Sequence, residues 1–305
     1  MLPLARRLAP WVVGLALLVV VAVRVPWSAF ADAIARGPHA AILATNVVVT
    51  LVIWCTDSAS TWASLRALRV ARRFGEVIVV RGATYALVAI NLALGHGGFG
   101  YYLYRSGEPA ARATGATLFL VGTNLAALLV ATAVAWLASD VAPGDRALWW
   151  TLVVGCGGLA LYLAIVAARP RALAARPLLA PLFDAGLRGH ALAIASRLPH
   201  VSAIVVGYYV AMRVWGVPVP VSDGLLLMPG VVIAIALPIS PGGLGTMQAA
   251  FVYFFASYAH GATADARNAD VLAFSIVELV YGFCCSVAIG LACLPFARRM
   301  LPVRR

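Results

Sequence analysis

The chain has 305 residues, 63% of them hydrophobic and only 11% charged, with a mean hydropathy of +0.95. This excludes a soluble globular protein, because one core cannot absorb several apolar runs of about 20 residues, the length that matches bilayer hydrocarbon. The net charge of +12 does not mark a nucleic-acid binder either, since the basic residues, all arginine, fall between apolar runs and form no stripe interleaved with aromatics.

In chain order, apolar runs compatible with helices fall at about 10–25, 39–57, 77–94, 114–138, 147–168, 190–212, 224–238, 246–258 and 271–295. Backbone groups in hydrocarbon must be satisfied within a segment, so these are helices; a barrel would show shorter alternating strands. Arg6 and Arg7 before the run Trp11 to Val23, followed by Ala29, Phe30 and Ala31, imitate a cleavable signal peptide. The repeat described below requires this segment as a first transmembrane helix, and it is read as one. Cys55, Cys156, Cys284, Cys285 and Cys293 lie in apolar stretches without ligand spacing, which predicts neither a disulfide framework nor a zinc site.

Arginines set the orientation. They cluster at Arg6–Arg7, Arg66–Arg73, Arg105–Arg112, Arg169–Arg188 and Arg298–Arg305, which are predicted to be cytoplasmic. The connections holding Asp32, Asp140 with Asp145, Asp223, and Asp265 with Asp270 are predicted to be external, so both termini are inside. Asp57 and Arg81 then fall near helix ends, where they can snorkel to water. Segments 77–112 and 224–260 each begin and end on one side, which makes each a hairpin.

Both hairpins contain a glycine-rich stretch, expected to break the helix. Val88 to Gly100 reads VAINLALGHGGFG and Ile233 to Gly245 reads IAIALPISPGGLG, with six of thirteen positions identical at an offset of 145 residues. The order helix, helix, hairpin, helix recurs from opposite sides in residues 1–146 and 147–305. The predicted fold is a single all-α polytopic membrane domain of about six transmembrane helices plus two opposed re-entrant hairpins, arranged as an inverted repeat.

Such an arrangement places a ligand near the midplane, where glycine-freed N–H groups and half-helix ends can receive a phosphate or carboxylate. The candidate binding residues are Asn91, His96, Gly97, Gly98 and Gly100 in the first hairpin and Pro241, Gly242, Gly243, Gly245 and Gln248 in the second. Arg197 and Glu278 join them, because ionisable residues inside apolar segments are costly. Two bland alternatives stand beside these: the glycines serve only helix packing, and Arg197 pairs with Glu278. No HExxH, GxSxG, paired-carboxylate motif or P-loop is present, so neither enzymatic activity nor a cofactor or metal is expected.

The stretch LPISPGGLGTMQAA, Leu237 to Ala250, resembles the lysylphosphatidylglycerol synthase transmembrane-region family of flippase-like proteins, and NLALGHGGFGYYLYRSG, Asn91 to Gly107, looks like a divergent form of that family's first motif. The resemblance implies a bacterial cytoplasmic-membrane protein that translocates a lipid or lipid-linked intermediate rather than making one. It departs where the family commonly has acidic residues, at Gln248 and near Tyr101, and where Thr123 and Asn124 replace an Arg and an Asp. Neither a cationic headgroup nor proton coupling is therefore implied through those positions. The expected partner is a membrane phospholipid or a lipid-linked anionic substrate, alongside a second copy of the chain or a lipid-synthesis enzyme. The alternative reading is a non-catalytic membrane scaffold subunit of a lipid-modifying or cell-envelope pathway.

Overall fold

A computed structural model describes residues 19, 26–90, 92–137, 146–236 and 243–301. The expected first transmembrane helix, Asn91, Pro241 and Gly242 lie outside the described residues. Those that are described form helices α1 (Trp27–Arg36), α2 (His39–Ala67), α3 (Phe74–Ile90), α4 (Leu92–Arg105), α5 (Ala110–Leu137), α6 (Arg146–Ala168), α7 (Arg171–Ala174), α8 (Ala180–Trp215), α9 (Val221–Ala236), α10 (Thr246–Phe255) and α11 (Ala264–Met300), with a 3₁₀ turn at Ala256–Tyr258. No strand occurs among them.

Five helical segments are long and apolar enough to cross a membrane: His39–Ala67, Ala110–Leu137, Trp149–Ala168, Ala180–Trp215 and Ala264–Met300. They match five of the six expected spans. Large apolar side chains on them, including Val48, Val154 and Leu161, are exposed. That is costly in water and ordinary against lipid tails, and the chain is a multi-pass α-helical membrane protein.

Helix ends follow local chemistry. At the end of α2 the Val70 N–H donates to the Leu65 carbonyl and the Arg69 N–H to that of Arg66. This is a Schellman closure with Arg69 at the left-handed position, φ 58°. Gly107 and Gly216 hold the same place after α4 and α8, at φ 102° and 108°. Within α8, Gly186 takes φ 59°, so two helical stretches meet there at a kink.

The chain forms two compact units. One comprises residues 1–50, 89–92 and 204–286, and the other 51–88, 93–203 and 287–305. In the second unit, Leu65, Val77, Phe99, Leu103, Phe119 and Ala193 belong to one apolar core that joins α2, α3, α4, α5 and α8. In the first unit α9 packs on α10, and Phe251 stacks edge-on to Phe274 of α11 at 5.2 Å.

Three expectations change. The residues of GHGGFG lie inside α4, a continuous helix over its described length, so the first glycine run is no break. A Cβ on Gly95 would run into Val88, including its backbone nitrogen and Cα at 3.1 and 3.2 Å. On Gly98 it would meet Leu87 at 2.7 Å, and on Gly100 the Thr117 hydroxyl at 2.5 Å. These glycines let α4 lie close against α3 and α5, the packing role of small residues in membranes. Second, α2 runs ten residues past the apolar stretch that ends at 57, because its polar continuation is buried rather than solvated. Third, α1 is an additional helix in a stretch expected to be a connection.

Candidate functional site

The polar continuation of α2 places Asp57, Thr61 and Ser64 at i, i+4 and i+7, on one helix face, and all three are buried. α3 brings Arg81 to that face and α8 brings Arg197. Arg81 donates to Asp57 Oδ2 through Nε at 2.8 Å and Nη2 at 2.5 Å. Arg197 donates through Nη1 to Asp57 Oδ1 at 2.7 Å and through Nη2 to Thr61 Oγ1 at 3.1 Å. Asp57, Arg81 and Arg197 are 2%, 4% and 1% exposed, so the two guanidiniums share one carboxylate away from water.

Arg197 therefore does not pair with Glu278, and Asp57 and Arg81 do not snorkel. Snorkelling needs a path to water along the side chain, whereas packing against neighbouring helices closes it, and each group finds its counter-charge sideways. Counting these three residues leaves one positive charge uncompensated. Arg81 Nη1 and Arg197 Nε are buried without a hydrogen-bond partner, so both guanidiniums retain donor capacity.

His96 on α4 and His200 on α8 complete the cluster. Both are buried, both lie within electrostatic reach of Asp57, Arg81 and Arg197, and the Nδ1 of each has no partner. His190 differs: its nitrogens meet Tyr162 Oη and the Gly186 carbonyl, each at 2.7 Å. One turn beyond His96, Phe99 lies under Arg81, with the guanidinium carbon 5.6 Å from the ring centre. His96 and Arg197 are thus the expected site residues that come together. Gly97 is exposed, and a Cβ there would meet nothing.

Of the expected residues of the second hairpin, Gly243, Gly245 and Gln248 are described and lie in the first unit. Gly243 and Gly245 both adopt left-handed φ, 75° and 82°, as the glycine reading anticipates, and form the turn into α10. Gln248 Oε1 accepts from the Gly245 N–H at 2.7 Å, satisfying a donor at the start of α10. Its Nε2 is buried without a partner. Glu278 on α11 accepts from Asn46 Nδ2 of α2 at 2.7 Å.

A cavity of about 650 Å3 lies where α2 turns into α3, lined by Trp62, Arg66, Arg69, Arg72, Arg73 and Glu76. Four arginines and one glutamate line it; Arg72 lies 3.9 Å from Glu108, and Arg66 lies over the Trp62 ring at 4.8 Å. No group of three or more metal-ligating side chains occurs among the described residues.

Asp57 and Arg81 were the residues sequence reasoning misjudged. The available signal was the small polar series Asp57, Ser60, Thr61, Ser64 at helical spacing, a pattern that buries one face against other helices. In comparisons with models of known families and with curated proteins, the chain matches none.

Proposed function

We propose that the protein is a lipid transporter of a bacterial cytoplasmic membrane, with both termini cytoplasmic, which moves a phospholipid or lipid-linked intermediate with an anionic headgroup. The observation that carries this is the buried Asp57–Arg81–Arg197 cluster with its surplus positive charge and unfilled donors. Ionisable groups in membrane helices are expensive, and they recur where substrates pass. An anionic phosphate supplies the missing counter-charge and accepts from Arg81 Nη1 and Arg197 Nε once the unit opens. The arginine-lined cavity beside Trp62 draws anionic headgroups to the cytoplasmic face.

The inverted repeat belongs to this reading. The helices of its two hairpins have 17, 14, 16 and 10 residues for α3, α4, α9 and α10. At a rise of about 1.5 Å per residue none reaches the roughly 30 Å of bilayer hydrocarbon. Both pairs are read as re-entrant.

The test is translocation of fluorescent phosphatidylglycerol and of polyprenyl phosphate in proteoliposomes, comparing wild type with R81M and R197M after checking that each elutes as a folded species. Transport by wild type and its loss in both variants is expected. Wild-type transport that survives in both variants removes the headgroup role of the arginines. Absence of wild-type transport for either lipid would replace the transporter by the scaffold reading.

A further inference from the structure

Glu278 stands in an environment opposite to that of Asp57. It lies 14 residues after the start of α11 and 22 before its end, about 21 and 33 Å along the helix, and is 6% exposed. None of the ion pairs among the described residues involves it. Its partner is the Asn46 amide at 2.7 Å, itself 4% exposed and bonded through Nδ2 to the Ile42 carbonyl at 3.2 Å. Among the described residues, the titratable groups within electrostatic reach of it are Tyr208 of α8 and Cys285 of α11, neither of them a cation.

An isolated carboxylate at this depth is costly unless it is paired or protonated. Arginine partners fix a carboxylate in its charged form, as Arg81 and Arg197 do for Asp57. An amide serves both forms, because Nδ2 donates to a carboxylate and Oδ1 accepts from a carboxylic acid. Asn46 thus holds the Glu278 side chain in place whether or not it carries a proton. On the same pair of helices, Tyr281 Oη lies 3.1 Å from His39 Nδ1, and His39 Nε2 lies 2.7 Å from the Ile34 carbonyl at the α1–α2 connection. Tyr281 follows Glu278 by three residues on α11, so these polar groups stand on the same pair of helices as the Asn46–Glu278 pair.

We propose that Glu278, held by Asn46, is a proton-binding site, protonated when buried and releasing its proton when the unit opens to water. Resting on the transport reading above, this couples lipid movement to a proton gradient. The proton site itself is tested without transport. Infrared spectra of the full-length protein in lipid are to be compared between wild type and E278Q, in H2O and D2O. A carboxylic-acid carbonyl band that shifts in D2O and disappears in E278Q is expected; identical acid bands in the two proteins overturn the proposal.

A second measurement uses dicyclohexylcarbodiimide. The carboxylic acid transfers its proton to a carbodiimide nitrogen while its oxygen bonds to the central carbon. The resulting O-acylisourea rearranges to a stable N-acylurea that adds the mass of one carbodiimide. An adduct on Glu278 that falls as pH rises, with none on Asp57, is expected. Coupling is read in proteoliposomes with an imposed proton gradient: wild-type translocation accelerated by the gradient and E278Q translocation indifferent to it support coupling. Wild-type translocation equally indifferent overturns coupling while the spectroscopic result stands. Failure of wild type to move lipid under any gradient falls on the transport reading, because the infrared band is independent of it.

Discussion

Replacing Asp57 by asparagine removes the carboxylate that two buried guanidiniums share. Three charge-assisted hydrogen bonds run to it, from Arg81 Nε and Nη2 and from Arg197 Nη1. Breaking a buried ion pair by deleting one partner costs about 3–5 kcal/mol. Here two cations are stranded at once, so D57N belongs at or above the upper end of that range. R81M and R197M each leave a balanced carboxylate–guanidinium pair and forfeit hydrogen bonds to a charged group, about 1.5–3 kcal/mol. The order is charge balance made visible: D57N is the most destabilised, R81M and R197M less so, and D57N/R81M recovers part of the D57N loss because one stranded cation goes with it. Equilibrium unfolding in mixed detergent and SDS reads all four. A D57N protein no less stable than R81M and R197M would refute the shared-carboxylate account.

The glycines of α4 predict a position-specific series. G97A should be neutral or slightly stabilising, because its Cβ enters open space and alanine is favoured in a helix by about 1 kcal/mol; G95A should destabilise, because the same methyl meets the Val88 backbone. Thermal unfolding followed by intrinsic fluorescence separates the two. G243A should cost about 1–2 kcal/mol for left-handed backbone alone, with the new Cβ 3.2 Å from Ile235 Cγ2, and should lower the thermal midpoint. R69G should raise that midpoint, relieving about 1–2 kcal/mol of left-handed strain at φ 58° with part of the gain returned as unfolded-chain entropy.

Run length made most of the spans legible, because a bilayer imposes a minimum length that composition reports directly. What hydropathy cannot report is which helix lies beside which. Arg197 and Glu278 both stand out in apolar surroundings, yet pairing them with each other had no geometric warrant; their partners, Asp57 and Asn46, come from α2. A hydropathy run that ends at 57 places Asp57 at a helix end, within reach of water, whereas α2 continues to Ala67. The glycines of GHGGFG and of SPGGLG are alike on paper but differ in backbone. Gly243 and Gly245 adopt left-handed φ, whereas the glycines of α4 remain helical, and of these Gly95, Gly98 and Gly100 are used for close approach. Glycine permits both, and its neighbours decide.

Whether the buried arginines receive an anionic headgroup is decided by headgroup selectivity. Fluorescent phosphatidylglycerol and phosphatidylcholine are to be followed in the same proteoliposomes. One uncompensated charge worth about 1.4 kcal/mol corresponds to roughly a tenfold preference. Wild type is expected to move the anionic lipid faster by that order, and R81M, which loses transport of the anionic lipid, to show no such preference. Equal rates for the two lipids in wild type would mean that the arginines do not read headgroup charge.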